Sequence, residues 1–150
     1  MRILLQRVSR AAVRVHGETI AEIGTGLLLL VGIGAADADA FGEYDRLADK
    51  VVHLRVFSDD EGKMDRSLAD VGGQILVVPQ FTLYGNLRKG RRPSWDAAAP
   101  PEVAEERVEA LARALEARGA RVSRGAFGEH MEVDLVNDGP VTLWLDTADL

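Results

Sequence analysis

The stretch Leu27-Leu28-Leu29-Leu30-Val31-Gly32-Ile33 decides the fold, because it is the longest apolar run in the 150-residue chain. A run without a polar position has no side that suits water, so it predicts a strand buried on both faces. A second run, Gln74-Ile75-Leu76-Val77-Val78, is stopped by Pro79, which lacks the N–H group that a further ladder bond needs. These two runs predict the central strands of a sheet.

Alternation of apolar and polar residues predicts five further strands. They lie at residues 3–8, 13–15, 20–23, 131–136 and 141–145. Turn-forming residues at 16–19 predict a hairpin between the second and third of them. For the last two, the sequence Asn137-Asp138-Gly139-Pro140 predicts a tight turn that joins one strand to the next.

Two segments have apolar residues at three- and four-residue steps and therefore predict amphipathic helices. The first covers residues 38–53, with Asp37 as its N-cap. The second opens at Pro100-Pro101 and ends before Gly119, a residue type that favours the C-terminal end of helices. Together these patterns predict one α/β domain over residues 1–150, with about seven strands and two long helices.

Composition excludes several classes of function. The chain has no cysteine, which removes disulfides, thiolate catalysis and cysteine-bound metals, and its three histidines have no metal-ligand spacing. We therefore expect no metal site and no cofactor. No apolar run approaches the length of a membrane span, and the N-terminus lacks the features of a secretory signal, so we predict a cytoplasmic protein without membrane partners.

A basic cluster interrupts an otherwise acidic chain of net charge −6. It consists of four cations within five positions, namely Arg88, Lys89, Arg91 and Arg92. The cluster is either a solvated loop or a site for nucleic-acid phosphates. Aromatic residues Phe81 and Trp95 flank it, and aromatic rings beside cations are what stacking of nucleobases requires.

Ordered motifs along the whole chain resemble the D-aminoacyl-tRNA deacylase family. They are Gln6-Arg7-Val8, Asp60-Glu61-Gly62-Lys63-Met64, Ser67-Leu68, Gln80-Phe81-Thr82-Leu83, Lys89-Gly90, Arg92-Pro93-Ser94, Phe127-Gly128 with Met131, and Asn137-Asp138-Gly139-Pro140-Val141-Thr142. Several motifs in the right order and at fitting separations are far more specific than one pattern. The sequence is therefore identified as a member of this family.

The resemblance implies a mixed, mostly antiparallel, barrel-like sheet in a homodimer that acts on the aminoacylated end of tRNA. Such enzymes hydrolyse the ester of D-aminoacyl-tRNA, and of glycine mischarged on tRNA(Ala), to free amino acid and tRNA. They reject L-aminoacyl-tRNA and so proofread chirality for translation.

Site residues follow from the same resemblance. Gln80, Phe81 and Thr82 match the catalytic segment. Gly139 and Pro140 match a Gly-cisPro motif that reaches into the partner's pocket and excludes an L side chain by steric clash. Arg7 and Asn137 match residues that support this chiral selection, and the cluster Arg88, Lys89, Arg91 and Arg92 is assigned to tRNA.

The chemistry of Thr82 has two interpretations. A nucleophilic threonine needs a neighbouring base, and the motif supplies no histidine or lysine. Assistance by the adenosine 2′-OH, with backbone N–H groups near Phe81 and Thr82 holding the carbonyl oxygen, needs no side-chain base. Pro79 departs from the family, which usually has serine there.

Two other functions compete with the deacylase. One is an RNA-binding module without catalysis that uses the basic cluster. The other is a hydrolase of free D-amino acid esters or peptides, which would not need that cluster.

Overall fold

The computed structural model describes residues 1–37 and 43–150. Its strands are β1 (Arg2–Val15), β2 (Glu18–Ile23), β3 (Gly26–Gly32), β4 (Phe57–Ser58), β5 (Met64–Arg66), β6 (Gln74–Pro79), β7 (Arg121–Arg124) and β8 (Glu132–Asp146). Its helices are α1 (Glu43–His53), α2 (Leu68–Val71) and α3 (Pro101–Ala117), and three 3₁₀ turns cover Ala35–Asp37, Phe81–Tyr84 and Thr147–Asp149.

Six strands form one mixed sheet in the order β2-β1-β3-β6-β7, with β8 on the other side of β1. β1 is antiparallel to β2, β3 and β8, whereas β3, β6 and β7 run parallel. β2 also lies close to β6 and β7, so the sheet curves until it is nearly closed. The chain is thus a single α/β domain with a barrel-like sheet, as predicted.

The central strand β3 separates two cores. Leu27 and Leu29 join a helix-side core, to which α1 contributes Leu47 and α3 contributes Leu111. Leu28 belongs to a second, strand-side core, which contains residues from strands only. Leu27, Leu28 and Leu29 are fully buried, so this part of β3 is buried on both faces as predicted, whereas Leu30 is only half-buried.

β1 changes faces halfway along its length. Ile3 and Leu5 lie in the helix-side core, whereas Ala11 and Val13, also at odd positions, lie in the strand-side core. The cause is an extra residue, Ser9, between the pairs Val8↔Asn137 and Arg10↔Val136. The sequence predicted two separate strands here, because the bulge breaks the alternation that marks one continuous strand.

The predicted strand pair at the C-terminus is also one strand. Residues on both sides of Gly139-Pro140 pair with β1 in the same direction, so the chain does not reverse there and the predicted tight turn is wrong. The β8 residues between Asn137 and Thr142 instead stand opposite the single β1 residue Arg7. We call residues 138–141 the β8 excursion.

The helix predictions are confirmed where the structure describes them. α3 begins at Pro101, and Gly119, just after its end, has a φ of +83°, which glycine adopts without strain. The described part of the first helix begins at Glu43, and predicted residues 38–42 lie outside the described residues. The short helix α2 was not predicted, although Ser67 and Asp70 form a capping box at its start.

Candidate active site

The catalytic segment predicted from the sequence, Gln80-Phe81-Thr82, lies at the carboxyl end of the buried strand β6. Its first residue still pairs with the sheet, because the Gln80 N–H donates to the Val31 carbonyl at 2.7 Å. The chain then turns into the 3₁₀ turn Phe81–Tyr84. Phe81 is 55% exposed and Thr82 is exposed as well, so a rigid core strand presents these two residues to solvent.

Backbone donors at this turn are available to a ligand. Within residues 1–37 and 43–150, the N–H groups of Phe81 and Thr82 donate to no acceptor. The Thr82 hydroxyl receives a hydrogen bond from Nε2 of Gln80, and no histidine, lysine or carboxylate of the described chain contacts it. The turn therefore offers two backbone donors and a hydroxyl without a base, which suits stabilisation of a developing oxyanion.

Tyr84 anchors the end of this turn to Asp37. Its hydroxyl donates to the Asp37 carboxylate at 2.9 Å, and burial together with this hydrogen bond raises the pKa of Tyr84. Burial would raise the pKa of Asp37, but hydrogen bonds from the α-amino group of Met1, the Gly34 N–H and Tyr84 outweigh it and lower that pKa. Asp37 was predicted to cap a helix whose first residues, 38–42, lie outside the described residues; its carboxylate supports the candidate site.

The basic cluster lies on a loop whose base is closed by two hydrogen bonds between Asn86 and Ser94, at 2.9 and 3.2 Å. Asn86 also accepts from the Arg88 N–H through its side chain. The four cations of the cluster are all exposed, and none pairs with a carboxylate among the described residues. The cluster is therefore a free positive surface, joined to the catalytic segment by a few residues of chain.

The β8 excursion carries the other predicted motif. Gly139 and Pro140 are exposed, and the peptide bond between them is cis. Arg7 lies beneath them with only 6% of its surface exposed. Its guanidinium donates to the carbonyl oxygens of Asp138 at 3.0 Å and Gly139 at 3.4 Å, and also to that of Val56.

Asn137 closes the excursion at its base. Its Nδ2 donates to the carbonyl oxygens of Arg7 at 2.9 Å and Val141 at 3.1 Å, and its Oδ1 accepts from the Thr142 hydroxyl. Arg7 and Asn137 were both predicted to serve chiral selection. In the structure both side chains donate hydrogen bonds to main-chain carbonyl oxygens, and these bonds determine the position of Gly139-Pro140.

The structure does not bring the two motifs together within one chain. Across β3, Gln80 is in register with Arg2 of β1, whereas the excursion lies opposite Arg7 of the same strand. These two positions are five residues, or about 16 Å, apart along β1. Across the sheet, β6 and β8 are three strand spacings apart, or about 14 Å. One chain therefore presents two separate half-sites.

A cavity of about 540 Å³ lies beside the catalytic segment. Its floor includes Val77, Pro79 and Phe127, and its wall is the exposed face of α3. That wall carries Glu102, Glu105, Glu106 and Glu109. This cavity was not predicted, although the three- and four-residue spacing of these glutamates and the Phe127-Gly128 motif are signals of it in the sequence.

Arg124 joins the end of this wall to the sheet. It binds Glu109 at 2.8 Å and Glu116 at 2.8 Å, and these hydrogen bonds raise the pKa of Arg124. The same bonds are the main reason why the pKa of each glutamate is lowered. The cavity wall is thus charged at neutral pH.

Among residues 1–37 and 43–150, no group of three or more histidine, aspartate or glutamate side chains is arranged to hold a metal ion. No helix in these two ranges has both the length and the apolar character that crossing a membrane requires.

Comparison with known proteins gives a match over nearly the whole chain. Residues 4–146 match the family described as D-Tyr-tRNA(Tyr) deacylase. The D-aminoacyl-tRNA deacylase of Thermomicrobium roseum is 58% identical over 150 residues, which is 100% of this chain and 96% of that protein. The enzyme of the same name from Thermosipho africanus is 49% identical over 147 residues, 98% of this chain and 97% of the relative.

Solved structures agree with this match. A protein described as c-Myc DNA Unwinding Element Binding Protein is 38% identical with a TM-score of 0.88, and the alignment covers 98% of this chain and 99% of that one. A probable eukaryotic D-amino acid tRNA deacylase has the same fold, with a TM-score of 0.79 at 18% identity and coverage of 96% and 97%.

Proposed function

The chain belongs to the D-Tyr-tRNA(Tyr) deacylase family, which makes it a hydrolase of ester bonds, and from this premise we propose that it acts on D-aminoacyl-tRNA. The bond to be broken joins the amino-acid carbonyl carbon to the ribose oxygen of the terminal adenosine. The observation that carries this proposal is the pair of N–H groups at Phe81 and Thr82, which donate to no acceptor of the described chain and lie near a cavity of about 540 Å³. tRNA is a substrate of translation, so we place the reaction in the cytoplasm.

Backbone groups and the substrate itself supply the chemistry in this proposal. The ester carbonyl oxygen accepts from the N–H groups of Phe81 and Thr82, which stabilise the negative charge that develops there. The neighbouring 2′-OH of the adenosine assists the attack of water on the carbonyl carbon. The 3′ oxygen then leaves with a proton, and the products are free D-amino acid and tRNA.

The cavity next to Pro79 is the place that we propose for the terminal adenosine. Its volume of about 540 Å³ lies within the ordinary range of small-molecule sites. Phe127 supplies an aromatic surface, and Gln80 and Phe81 lie directly beyond Pro79 at the end of β6. The basic cluster would bind phosphates of the acceptor end, while the glutamates of α3 would repel them, so the polynucleotide leaves the site on the loop side.

Chiral selection requires a second subunit in this proposal. Gly139 and Pro140 are too far from residues 80–82 of their own chain to screen a substrate there. A two-fold axis that passes midway between the motifs would bring each excursion to the other chain's catalytic segment at once and give two equal sites. Backbone close to the amino-acid Cα then admits hydrogen or a D side chain and collides with an L side chain.

An uncovered part of the sheet supports this dimer. Leu4 and Leu30 lie on the strand-side face and are only half-buried, and Trp144, which pairs with Leu4, is exposed. No helix of the described chain covers this face. A second copy of the chain would bury these apolar side chains.

A time course of deacylation tests the function. Purified protein is incubated with D-tyrosyl-tRNA and with L-tyrosyl-tRNA, and with glycyl-tRNA(Ala) as a substrate without a side chain. We expect release of D-tyrosine and glycine and little release of L-tyrosine. Equal rates for the two tyrosine enantiomers would contradict the steric account.

The same measurement separates the alternatives. An RNA-binding module would bind the tRNA and release no amino acid. A hydrolase of small esters would cleave free D-tyrosine methyl ester at least as well as the charged tRNA.

A mixing experiment tests the shared site. In the proposal, Phe81→Ala prevents binding of the adenosine, whereas replacement of residues 138–141 by a glycine linker leaves an active site that no longer selects D over L. After subunit exchange, hybrid dimers regain one complete, D-selective site. No recovery of D selectivity after confirmed exchange would contradict the shared site.

A further inference from the structure

Two exposed aromatic side chains, Phe81 and Trp95, pack edge to face at the predicted catalytic segment. Phe81 is 55% exposed and Trp95 is 40% exposed, and their ring centroids are 5.3 Å apart at an interplanar angle of 76°. Aromatic residues make up only 5% of the chain, and large aromatic side chains are normally buried for most of their surface. Exposure of both rings at one place indicates a surface that binds something flat and apolar.

The backbone around Trp95 holds this ring in place. The ring lies against Gly85, where an added Cβ would come within 2.8 Å of Cζ3 of Trp95. Ser94, the residue before the tryptophan, is bonded to Asn86, and the Trp95 carbonyl oxygen accepts from the Ala98 N–H at 2.9 Å. The exposed ring is therefore fixed before any ligand arrives, which reduces the entropy lost on binding.

Charge beside the ring identifies the ligand. The loop that ends at Ser94 carries the basic cluster, with its four exposed cations and no carboxylate partners among the described residues. Cations that follow a phosphate backbone, next to an aromatic ring on which a base can stack, are the common pattern of proteins that bind single-stranded nucleic acid.

We propose that Trp95 stacks one of the unpaired nucleobases that precede the terminal adenosine of charged tRNA. The proposal rests on the proposed function, because that function places the adenosine in the cavity beside Pro79 and the ester at residues 80–82. The Trp95 ring lies next to the Phe81 ring, and Trp95 directly follows the loop that carries the basic cluster. Nucleotides that extend from the site toward these cations would therefore pass over Trp95. Stacking on the Trp95 indole does not involve the ester bond, so it contributes to substrate binding and not to the rate of the chemical step.

Kinetics with a long and a short substrate test this role. Trp95→Ala and Trp95→Phe are compared with wild type on D-tyrosyl-tRNA and on 3′-O-D-tyrosyladenosine, which lacks the preceding nucleotides. We expect Trp95→Ala to raise KM for the tRNA about five-fold or more, the lower end of what one stacked base contributes, at unchanged kcat. The short substrate should be unaffected, and Trp95→Phe should retain most of the affinity.

An abasic scan identifies the stacked base. D-tyrosyl-tRNA with an abasic nucleotide at each unpaired position in turn is measured with wild type and with Trp95→Ala. At the stacked position, the increase in KM caused by the abasic nucleotide and the increase caused by Trp95→Ala should not add, because each change removes the same base–indole contact. Full additivity at every unpaired position would overturn the proposal.

Other outcomes of these experiments also test whether a base stacks on Trp95. Equal losses on the long and the short substrate would mean that Trp95 only supports Phe81, and would overturn the stack. If wild type hydrolyses neither substrate, the proposed function fails, and affinity for uncharged tRNA then tests the stack by itself. An affinity unchanged in Trp95→Ala would overturn it, and a loss of about five-fold or more would support it.

Discussion

Arg7 and Asp138 are joined twice across the β1–β8 ladder: Nε of Arg7 lies 3.0 Å from the carbonyl oxygen of Asp138 and 3.2 Å from its Oδ2. The rest of the guanidinium binds the carbonyl oxygens of Val56 and Gly139. One buried side chain thus positions the β8 excursion from below.

Replacement of Arg7 by lysine should loosen the excursion. A single ammonium group cannot reach three carbonyl oxygens in different directions, so buried acceptors lose their partners. We expect Arg7→Lys to lower the free energy of unfolding by about 1 to 3 kcal/mol and to reduce the ratio of D- to L-tyrosyl-tRNA hydrolysis. Urea unfolding and the two deacylation rates measure this.

Arg10→Lys is the matched control, because Arg10 lies on the same strand, is exposed and, among residues 1–37 and 43–150, forms an ion pair with the surface carboxylate of Asp134 alone. It should change the free energy of unfolding by less than about 0.5 kcal/mol. An unchanged D/L ratio in Arg7→Lys would show that this arginine does not position the selective group.

Gly139→Ala should separate activity from stability. A Cβ at this position would meet nothing of its own chain closer than Oδ1 of Asn137 at 4.0 Å. In the shared site, however, the methyl group would enter the partner's pocket. We expect unfolding to change by less than about 0.5 kcal/mol and D-tyrosyl-tRNA turnover to fall by about ten-fold or more.

The control for this change is Gly24→Ala, since Gly24 is also exposed and has room for a methyl group, with Oε1 of Gln74 at 3.7 Å. It should leave both quantities as in wild type. Full activity of Gly139→Ala would argue that Gly139 does not face a substrate.

Thr82→Ala should retain most of its activity. The Thr82 hydroxyl accepts a hydrogen bond from Gln80 and has no base beside it in the described chain. We expect kcat to fall by less than about ten-fold, whereas removal of a true nucleophile or acid-base group costs about 100-fold or more. Single-turnover deacylation of D-tyrosyl-tRNA measures the change, and circular dichroism confirms the fold.

A substrate that ends in 2′-deoxyadenosine provides the complementary test. If the 2′-OH assists, this substrate should react about 100-fold more slowly or worse with wild type and with Thr82→Ala alike. Normal turnover of the deoxy substrate would refute substrate assistance.

Neutralisation of the basic cluster should weaken binding and leave the chemical step unchanged. Arg88→Gln with Arg91→Gln removes two exposed cations, and each lost phosphate contact lowers the slope of log K against log salt by about 0.7 to 0.9. Titration of tRNA at several salt concentrations measures this slope. Lys50→Gln, an exposed cation on α1, serves as the control, and equal slopes in all three proteins would show that the loop is only solvated.

Stability in acid should depend on Arg124. Its hydrogen bonds lower the pKa of Glu109 and Glu116, so both carboxylates stabilise the folded state at pH values above about 4.5, the ordinary pKa of glutamate. This stabilisation is lost as the pH falls through the lowered values. Both glutamates are more than one-third exposed, so the effect stays within about 1 kcal/mol.

The measurement is thermal or urea unfolding between pH 3 and pH 7. The fall in stability toward acid should be smaller in Arg124→Gln than in wild type. Arg113→Gln removes an exposed side chain that hydrogen-bonds only Glu109 of these two glutamates, and it should change the acid profile less than Arg124→Gln does. An identical acid profile for Arg124→Gln and wild type would contradict the assignment.

Local patterns were sufficient to predict the elements whose surroundings are uniform along their length. Residues Leu27 to Leu29 are apolar because both faces of β3 are covered there, and α3 follows its apolar periodicity from Pro101 to the glycine after its end. β1 and β8 were each predicted as two strands, because Ser9 and the excursion shift the alternation partway along. Only the pairing partner reveals that each is continuous, and a partner distant in sequence leaves no local pattern.

The candidate site divides in the same way. The exposure of Phe81 and Thr82 could be expected from their place after a buried strand. The roles of Asp37 and Arg7 depend on contacts with Tyr84 and Gly139, which are 47 and 132 residues away, and single-residue patterns carry no information about such contacts.

The β8 excursion also restricts how the protein can change in length. Both of its flanks pair with the same strand, with Val133 and Leu135 in contact with the strand-side core and Val141 and Leu145 with the helix-side core. Deletion of one residue from 138–141 would shift one flank by one position and turn its apolar side chains to the opposite face. Insertions and deletions in this segment must therefore come in pairs or be matched by a change in the bulge of β1.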